Sequence, residues 1–137
     1  MITRCFFTGL TIAASAALLV GCVPQSDHIS ALDREQASAD QLPAIVYADS
    51  GSDIDASTTR LLLQQNGNKY FAARPASSEG FCMIMYASDE VWTSSCAGGL
   101  PMELAIQGHG SAQLVADSRT LATDEWVKAA DNLYIGK

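Results

Sequence analysis

Basic residues are scarce in this sequence. It has 8 lysines and arginines against 15 aspartates and glutamates, a formal net charge of −7, and only two histidines. Nucleic-acid binding needs a lysine- and arginine-rich surface to contact phosphates, so this composition excludes a nucleic-acid-binding protein. The hydrophobic share of 48% is too high for a wholly disordered chain. A length of 137 residues indicates one folded domain.

The N-terminal hydrophobic run is too short to cross a bilayer. Residues 5–20 form 16 apolar or small positions without a charge, whereas a membrane-spanning helix needs about 20. Arg4 and the amino terminus supply positive charge in front of this run. A short positive start followed by a short apolar segment is typical of an export signal. We therefore interpret residues 1–21 as a signal peptide that takes no part in the fold.

The apolar run ends in Leu19-Val20-Gly21-Cys22. This motif resembles the lipobox of bacterial lipoproteins, in which small residues precede an invariant cysteine. The resemblance implies a thioether-linked diacylglycerol and palmitate on Cys22, cleavage before it, and a protein anchored on the extracytoplasmic face of the cell membrane. A plain secretory signal or an uncleaved anchor is the alternative. More than one acyl chain gives stable attachment, at about 0.8 kcal/mol for each buried CH₂.

Two cysteines remain in the predicted folded region, and they lie in a strand–turn–strand pattern. A turn at 88–90 sets three pairs opposite each other: Ala87 and Val91, Tyr86 and Trp92, and Cys82 and Cys96. Directly opposed residues are within disulfide reach, and disulfides persist in exported proteins. We therefore predict a Cys82–Cys96 disulfide. The pair lacks Cys-x-x-Cys spacing and an adjacent histidine, which disfavours a redox or metal site.

Short alternating segments predict a β domain. Asn66-Gly67 is the strongest turn signal, and a hairpin around it sets Leu63 opposite Tyr70, Leu62 opposite Phe71 and Leu61 opposite Ala72. The other predicted strands are 44–48, 102–107, 112–116, 125–129 and 132–135. Seven to nine such strands favour a mainly β fold: a small antiparallel β-sandwich or barrel built from hairpins, with one disulfide, preceded by a short helix or tether. Predicted core residues are Leu61, Leu63, Tyr70, Phe81, Ile84, Tyr86, Trp92, Leu104, Ile106, Leu114, Trp126, Leu133 and Ile135.

The domain organisation follows from these segments. We assign 1–21 to the signal peptide, 22–44 to a lipidated tether and 45–137 to the β domain. Within the tether, Ser30-Ala-Leu-Asp33 matches a helix capping box. Pro43 ends the helical stretch. A flexible stalk and a helix packed on the domain both remain open.

Most of the chain is similar to small secreted lipoproteins of uncharacterised function from high-GC Gram-positive bacteria. The features that carry the resemblance are the lipobox, Asp-Gln-Leu-Pro at 40–43, the cysteine hairpin with Trp92, and Asp131-Asn132-Leu133 after Trp126. The resemblance implies no catalytic residue.

No pattern of catalytic or metal-binding residues emerges. His28 lies in the predicted tether, which is a poor place for a rigid site, and His109 lies in a glycine-flanked turn, where a general base would need a third group to orient it. Asp49, Asp53 and Asp55 do not fit a calcium loop, so we interpret them as a solvated turn. Met83 and Met85 are expected to fill the core and not to bind copper. We therefore expect no catalytic residue, no metal and no cofactor.

Three functions remain compatible with these observations. The first is a non-catalytic, lipid-anchored module that binds an unidentified protein or envelope polymer, with Tyr86, Trp92, Trp126 and Tyr134 as aromatic candidates for its surface. The second is an inhibitor of a lysozyme-like or other envelope hydrolase, because an acidic body suits a basic enzyme; the Ser-Gly-x-x-Tyr loop of one such family is missing. The third is a hydrolase with an unfamiliar site that brings His109 beside a carboxylate and a serine.

Overall fold

Eight antiparallel strands form two four-stranded sheets in the computed structural model, which describes residues 27–49, 53–121 and 124–137. The strands are β1 (Arg60–Gln65), β2 (Asn68–Ala73), β3 (Phe81–Ser88), β4 (Val91–Ala97), β5 (Met102–Ile106), β6 (Gly110–Leu114), β7 (Trp126–Ala130) and β8 (Leu133–Gly136). The first sheet has the order β1-β2-β3-β4 and the second β5-β6-β8-β7. The predicted fold class, a mainly β antiparallel sandwich with one disulfide, is confirmed.

In the described residues before β1, the regular elements are short helical pieces. They are the helix α1 (Ala44–Ala48) and three 3₁₀ turns, Ser30–Leu32, Ser38–Asp40 and Ala56–Thr58. Within the described residues, no helix is both long enough and apolar enough to cross a membrane.

The main core lies between the two sheets. The first sheet contributes Tyr70, Ala72, Phe81, Met83 and Met85, the second contributes Met102, Ala112, Leu114 and Leu133, and Ile29 joins them from the N-terminal segment. Met83 and Met85 are fully buried, which confirms that they fill the core. Methionine suits this role because its unbranched, polarisable side chain adapts to irregular spaces.

A second apolar cluster covers the outer face of the first sheet. Leu42, Val46 and Ile54 pack there against the side chains of β2 and β3, namely Phe71, Ala73, Cys82 and Ile84. Consecutive residues of a strand point to opposite faces. The central strands are therefore apolar at nearly every position, because both of their faces are covered.

The prediction of a strand at 44–48 is wrong, since these residues form α1. The backbone N–H of Val46 donates to the carbonyl of Pro43, and that of Asp49 donates to Ile45. A short helix forms hydrogen bonds within its own backbone and still packs Val46 against the sheet. A strand at this position would need the edge of a neighbouring strand to satisfy its backbone groups.

The predicted capping box at Ser30 is also absent. A single 3₁₀ turn covers Ser30–Leu32, and its N-cap residue, Ile29, makes no side-chain cap. Both the backbone N–H and the hydroxyl of Ser30 donate to Asp117 instead. A contact with Asp117, which is distant in the sequence, thus replaces the predicted local capping contact of Ser30. The described part of the segment packs on the sandwich, which answers the question of a free stalk for residues 27–44.

Both predicted hairpin registers hold in part. Leu63 lies opposite Tyr70, as predicted, but a bulge at Leu62 brings Leu61 opposite Phe71 and Arg60 opposite Ala72. In the cysteine hairpin Tyr86 faces Trp92, as predicted, but a bulge at Ala87 places Ser88 opposite Val91. Each bulge inserts one residue into one strand, which periodicity does not reveal.

Cys82 and Cys96 form the predicted disulfide across β3 and β4. Their Cα atoms are 4.0 Å apart and their sulfurs 1.96 Å apart. Cys82 is buried under the second apolar cluster, while Cys96 faces solvent on an edge strand.

We expect the double substitution Cys82→Ala/Cys96→Ala to lower the free energy of unfolding by about 3 kcal/mol, because a disulfide that closes a loop of this size restricts the unfolded chain. Urea unfolding followed by tryptophan fluorescence measures the change. Ser95→Ala, an exposed change on the same strand, is the control and should leave the midpoint within error. An unchanged midpoint for the double variant would contradict a stabilising disulfide.

Candidate functional site

Hydrogen-bonded polar side chains hold residues 27–42 on the sandwich, and we call this network the N-terminal clamp. Its polar members are His28, Ser30, Arg34, Asp40, Arg60, Asp117 and Asn132. One half of the clamp centres on Asp117, just beyond β6. Its carboxylate accepts hydrogen bonds from the backbone N–H of Ser30 (3.1 Å), from Asn132 Nδ2 (2.8 Å) and from His28 Nδ1 (2.8 Å). The backbone N–H of Asp117 donates to the carbonyl of His28.

His28 bridges two carboxylates. Its Nδ1 lies 2.8 Å from Asp117 and its Nε2 lies 2.8 Å from Asp33. Only the protonated imidazole donates from both nitrogens, so this geometry favours the charged form. The hydrogen bond to Asp117 and the charge of Asp33 accordingly raise the pKa of His28.

The pKa of Asp117 responds to opposing influences. Its partial burial raises the pKa, but hydrogen bonds from Asn132, Ser30 and His28 outweigh burial and bring it to about 2. These hydrogen bonds all stabilise the ionised carboxylate. The ionised carboxylate of Asp117 therefore has a structural role.

The other half of the clamp centres on Asp40, which is buried. Arg34 forms a bidentate pair with it, with Nη2 2.6 Å from Oδ1. The backbone N–H groups of Ala37 and Leu61 also donate to this carboxylate, at 2.7 and 2.8 Å. The Arg34 hydrogen bonds, opposed by burial and aided by the two N–H groups, hold the pKa of Asp40 well below its usual range. Asp40 thus joins the N-terminal segment to the start of β1.

Arg60 completes this half, and no carboxylate of the described residues pairs with it. Its guanidinium is buried and donates to backbone carbonyls, including Arg34 O at 2.8 Å and Thr59 O at 2.9 Å. Asp40, Arg34 and Arg60 thus tie three backbone segments together.

Ile29 gives the clamp its largest apolar contribution. Its side chain is 0% exposed and belongs to the main core. Full burial of such a side chain contributes about 2 kcal/mol. Water and salt weaken exposed ion pairs, and His28 and Asp117 have side chains 53% and 36% exposed. Burial of Ile29 therefore holds the segment more strongly than the His28–Asp117 pair does.

A partly exposed row of one lysine and two aromatic side chains lies on the outer face of the first sheet. Lys69, Tyr86 and Trp92 are successive cross-strand partners on β2, β3 and β4. Tyr86 and Trp92 pack against the second apolar cluster and remain half-buried. The Tyr86 hydroxyl donates to Asp89 at 2.6 Å, and Asp89 and Glu90 are exposed in the turn. We call these five residues the hairpin-tip surface.

The other two aromatic candidates have different environments. Tyr134 is 3% exposed, so it contributes to packing. Trp126 is half-buried on β7, and one ring carbon lies 3.7 Å from where a Cβ on Gly136 would sit.

His109 lies exposed in the turn between β5 and β6. Its Nδ1 is 3.1 Å from Asn68 Oδ1. It lines a cavity of about 290 Å³ together with Asn68, Tyr70 and glycines 108, 110 and 136. The described lining contains neither a carboxylate nor a serine. Across all the residues that the structure describes, no group of three or more His, Cys, Asp or Glu side chains is arranged to bind a metal.

Of the other site residues considered in the sequence analysis, some belong to the residues that the structure describes and some do not. Cys22, the predicted lipidation site, lies outside the described residues, as do residues 1–21. Asp53 accepts a hydrogen bond from Ser77, 24 positions away, and Asp55 accepts one from its near neighbour Ser57. Asp40 and Asp117 were missed as structural residues. The partners of Asp117 lie as far as 89 positions away, whereas Asp40 pairs with Arg34, 6 positions before it, and also accepts from Leu61, 21 positions after it.

Comparison of this chain with protein families, with curated proteins and with solved structures finds no match.

The clamp predicts opposite pH dependences for its two main groups. A raised His28 pKa stabilises the fold below the unfolded value near 6.5, and this stabilisation is lost as pH rises through the folded pKa. A lowered Asp117 pKa stabilises the fold above the unfolded value near 4, and this stabilisation is lost as pH falls towards 2. Urea unfolding from pH 5 to 9 should show the first loss in the wild type and a smaller one in His28→Gln.

NMR titration of the imidazole provides the direct measurement. Asp33→Asn leaves the Asp117 contact in place, so we expect it to move the His28 pKa only part of the way towards 6.5. A wild-type His28 that titrates at or below 6.5 would contradict the bridge between two carboxylates.

Proposed function

We propose that the protein is a lipid-anchored, extracytoplasmic envelope protein, a non-catalytic binding or structural module attached to the membrane through Cys22. The sequence motif Leu19-Val20-Gly21-Cys22 supports the anchor. The observation that carries the proposal is the clamp. Asp40, Arg60 and Asp117, together with His28, are engaged in holding the N-terminal segment on the sandwich.

The clamp begins very close to the proposed anchor. Asp27 is the fifth residue after Cys22, and its carboxylate accepts a hydrogen bond from the backbone N–H of Leu100 at 2.8 Å. Five residues of fully extended chain span at most about 18 Å. An acylated Cys22 would therefore hold the sandwich next to the bilayer, with the Asp27 end towards the lipid.

The hairpin-tip surface is the proposed contact region for a partner. Tyr86 and Trp92 offer partly exposed rings, and Lys69, Asp89 and Glu90 add charges of both signs around them. Aromatic side chains combine a large apolar area with few rotatable bonds, which is why they are enriched in binding surfaces.

Lipidation is tested on the full chain in a bacterial host. We expect metabolic incorporation of an alkyne fatty acid, a mature N-terminus at Cys22 by mass spectrometry, and retention in membranes after a high-salt wash, because an acyl anchor is not screened by salt. Cys22→Ala should abolish the label. Cys5→Ala, in the predicted signal peptide, should leave it unchanged. An unacylated wild-type N-terminus would refute the anchor.

The alternative, inhibition of a basic envelope hydrolase, is favoured by one observation: Asp89 and Glu90 are both exposed at the end of a disulfide-braced hairpin. An acidic projection complements a basic active-site cleft. If this alternative holds, Asp89→Asn/Glu90→Gln should weaken inhibition of a basic lysozyme at least about tenfold, the loss expected when charge-assisted contacts are removed.

Asp124→Asn/Glu125→Gln is the matched control, since it removes the same charge from another exposed pair. It should retain inhibition. No inhibition by the wild-type chain, or equal loss in both variants, would exclude this function for the hairpin tip.

A further inference from the structure

A cavity of about 580 Å³ opens at the end of the sandwich where the described chain begins. Its lining consists of Asp27, Arg74, Ser78, Glu79, Gly80, Phe81 and Gly98. Gly80 has φ +130°, and a Cβ there would lie 2.2 Å from the carbonyl oxygen of Ala97. This part of the wall must therefore be bare backbone.

Arg74 is held in place in this cavity by contacts that leave its charge unneutralised. Its guanidinium carbon lies 4.5 Å from the centre of the Phe81 ring, and Nη1 donates to the carbonyl of Gly80 at 3.1 Å. Among the described residues no carboxylate lies within ion-pair distance of Arg74. A guanidinium carries five N–H donors in a rigid fork that suits phosphate oxygens. The remaining donors are available to an anion.

Two carboxylates line the same cavity without pairing with Arg74. Asp27 accepts the hydrogen bond from Leu100, and Glu79 is exposed. A lone anion would meet repulsion from both carboxylates, and a lone cation would meet repulsion from Arg74. A zwitterion whose phosphate and ammonium are joined by a short chain matches this arrangement of separate charges.

We propose that this cavity binds the phosphoethanolamine headgroup of a phospholipid in the membrane that holds the protein. The phosphate contacts Arg74, and the ammonium contacts Glu79 and Asp27. The membrane as source rests on the proposed lipid anchor: Asp27 lines the cavity and lies five residues, at most about 18 Å, from Cys22. The headgroup would fix how the sandwich sits on the bilayer.

The experiment uses the full lipidated chain in a neutral detergent, with soluble headgroup analogues followed by NMR. Glycerophosphoethanolamine should shift the backbone amide signals of Ser78–Phe81 and Gly98. Glycerophosphocholine, whose ammonium donates no hydrogen bond, and glycerophosphoglycerol, which has no cation, should shift them less. Nanodiscs of phosphatidylethanolamine should reproduce the shifts, and nanodiscs of phosphatidylcholine or phosphatidylglycerol should not.

Arg74→Gln should weaken glycerophosphoethanolamine binding about tenfold or more, because a charge-assisted hydrogen bond is lost. Arg119→Gln, an exposed arginine elsewhere, is the matched control and should bind as the wild type does. Glu79→Gln, at an exposed position, keeps the phosphate contact but should reduce the preference for the ethanolamine analogue over the glycerol one, because Asp27 is then the remaining carboxylate for the ammonium. It decides the question if Arg74→Gln does not fold.

Equal shifts with all three analogues, or unchanged binding by Arg74→Gln or Glu79→Gln, would overturn the cavity assignment. Mass spectrometry of Cys22 separates this failure from failure of the anchor. An acylated Cys22 without headgroup preference refutes only the cavity. An unacylated Cys22 refutes the membrane as the source of the ligand, even if the soluble analogue binds.

Discussion

The central strands of the first sheet are stable only when both of their faces are covered. Neighbours such as Met83 and Ile84 point to opposite sides of β3, and both are fully buried. The second sheet covers one side, and Leu42, Val46 and Ile54 cover the other. Without that second cover, the apolar side chains of β2 and β3 would face water. The N-terminal segment is therefore part of the folded unit, and the rest of the architecture depends on its position.

The charged groups divide into two classes with different consequences. Asp40 and Asp117 are held by several donors each, and their lowered pKa values show that the ionised forms stabilise the fold. Asp89, Glu90 and Glu79 are exposed, and of these Glu79 lines a cavity with Arg74, which pairs with no carboxylate of the described residues. A net acidic chain thus uses some of its anions to hold its N-terminal segment and leaves others exposed on the surface.

Local patterns were sufficient for much of the fold. The Asn66-Gly67 turn, the alternation at Met102–Ile106 and the paired cysteines are signals that depend on neighbouring residues only, and the structure contains all three features. The errors lie where a distant contact competes with a local preference. Residues 44–48 have a strand-like composition, but the outer face of the first sheet needs a cover and not a further strand. Ser30 has a capping sequence, but Asp117 takes both of its donors. Tyr86 and Trp92, expected both as core residues and as surface candidates, are half-buried, whereas Tyr134, expected as a surface candidate, is buried.

The sequence by itself determined the strand-rich class and the cysteine pairing, because turn residues and alternation act over a few positions. Only the tertiary structure decided that residues 27–42 are clamped, that His28 bridges two carboxylates, and that Arg74 and Glu79 share a cavity with Asp27. Those arrangements join residues as many as 89 positions apart. Residues this far apart meet only in the folded chain, where burial and charge neutralisation determine which of them pair. No periodicity along the sequence encodes these pairs.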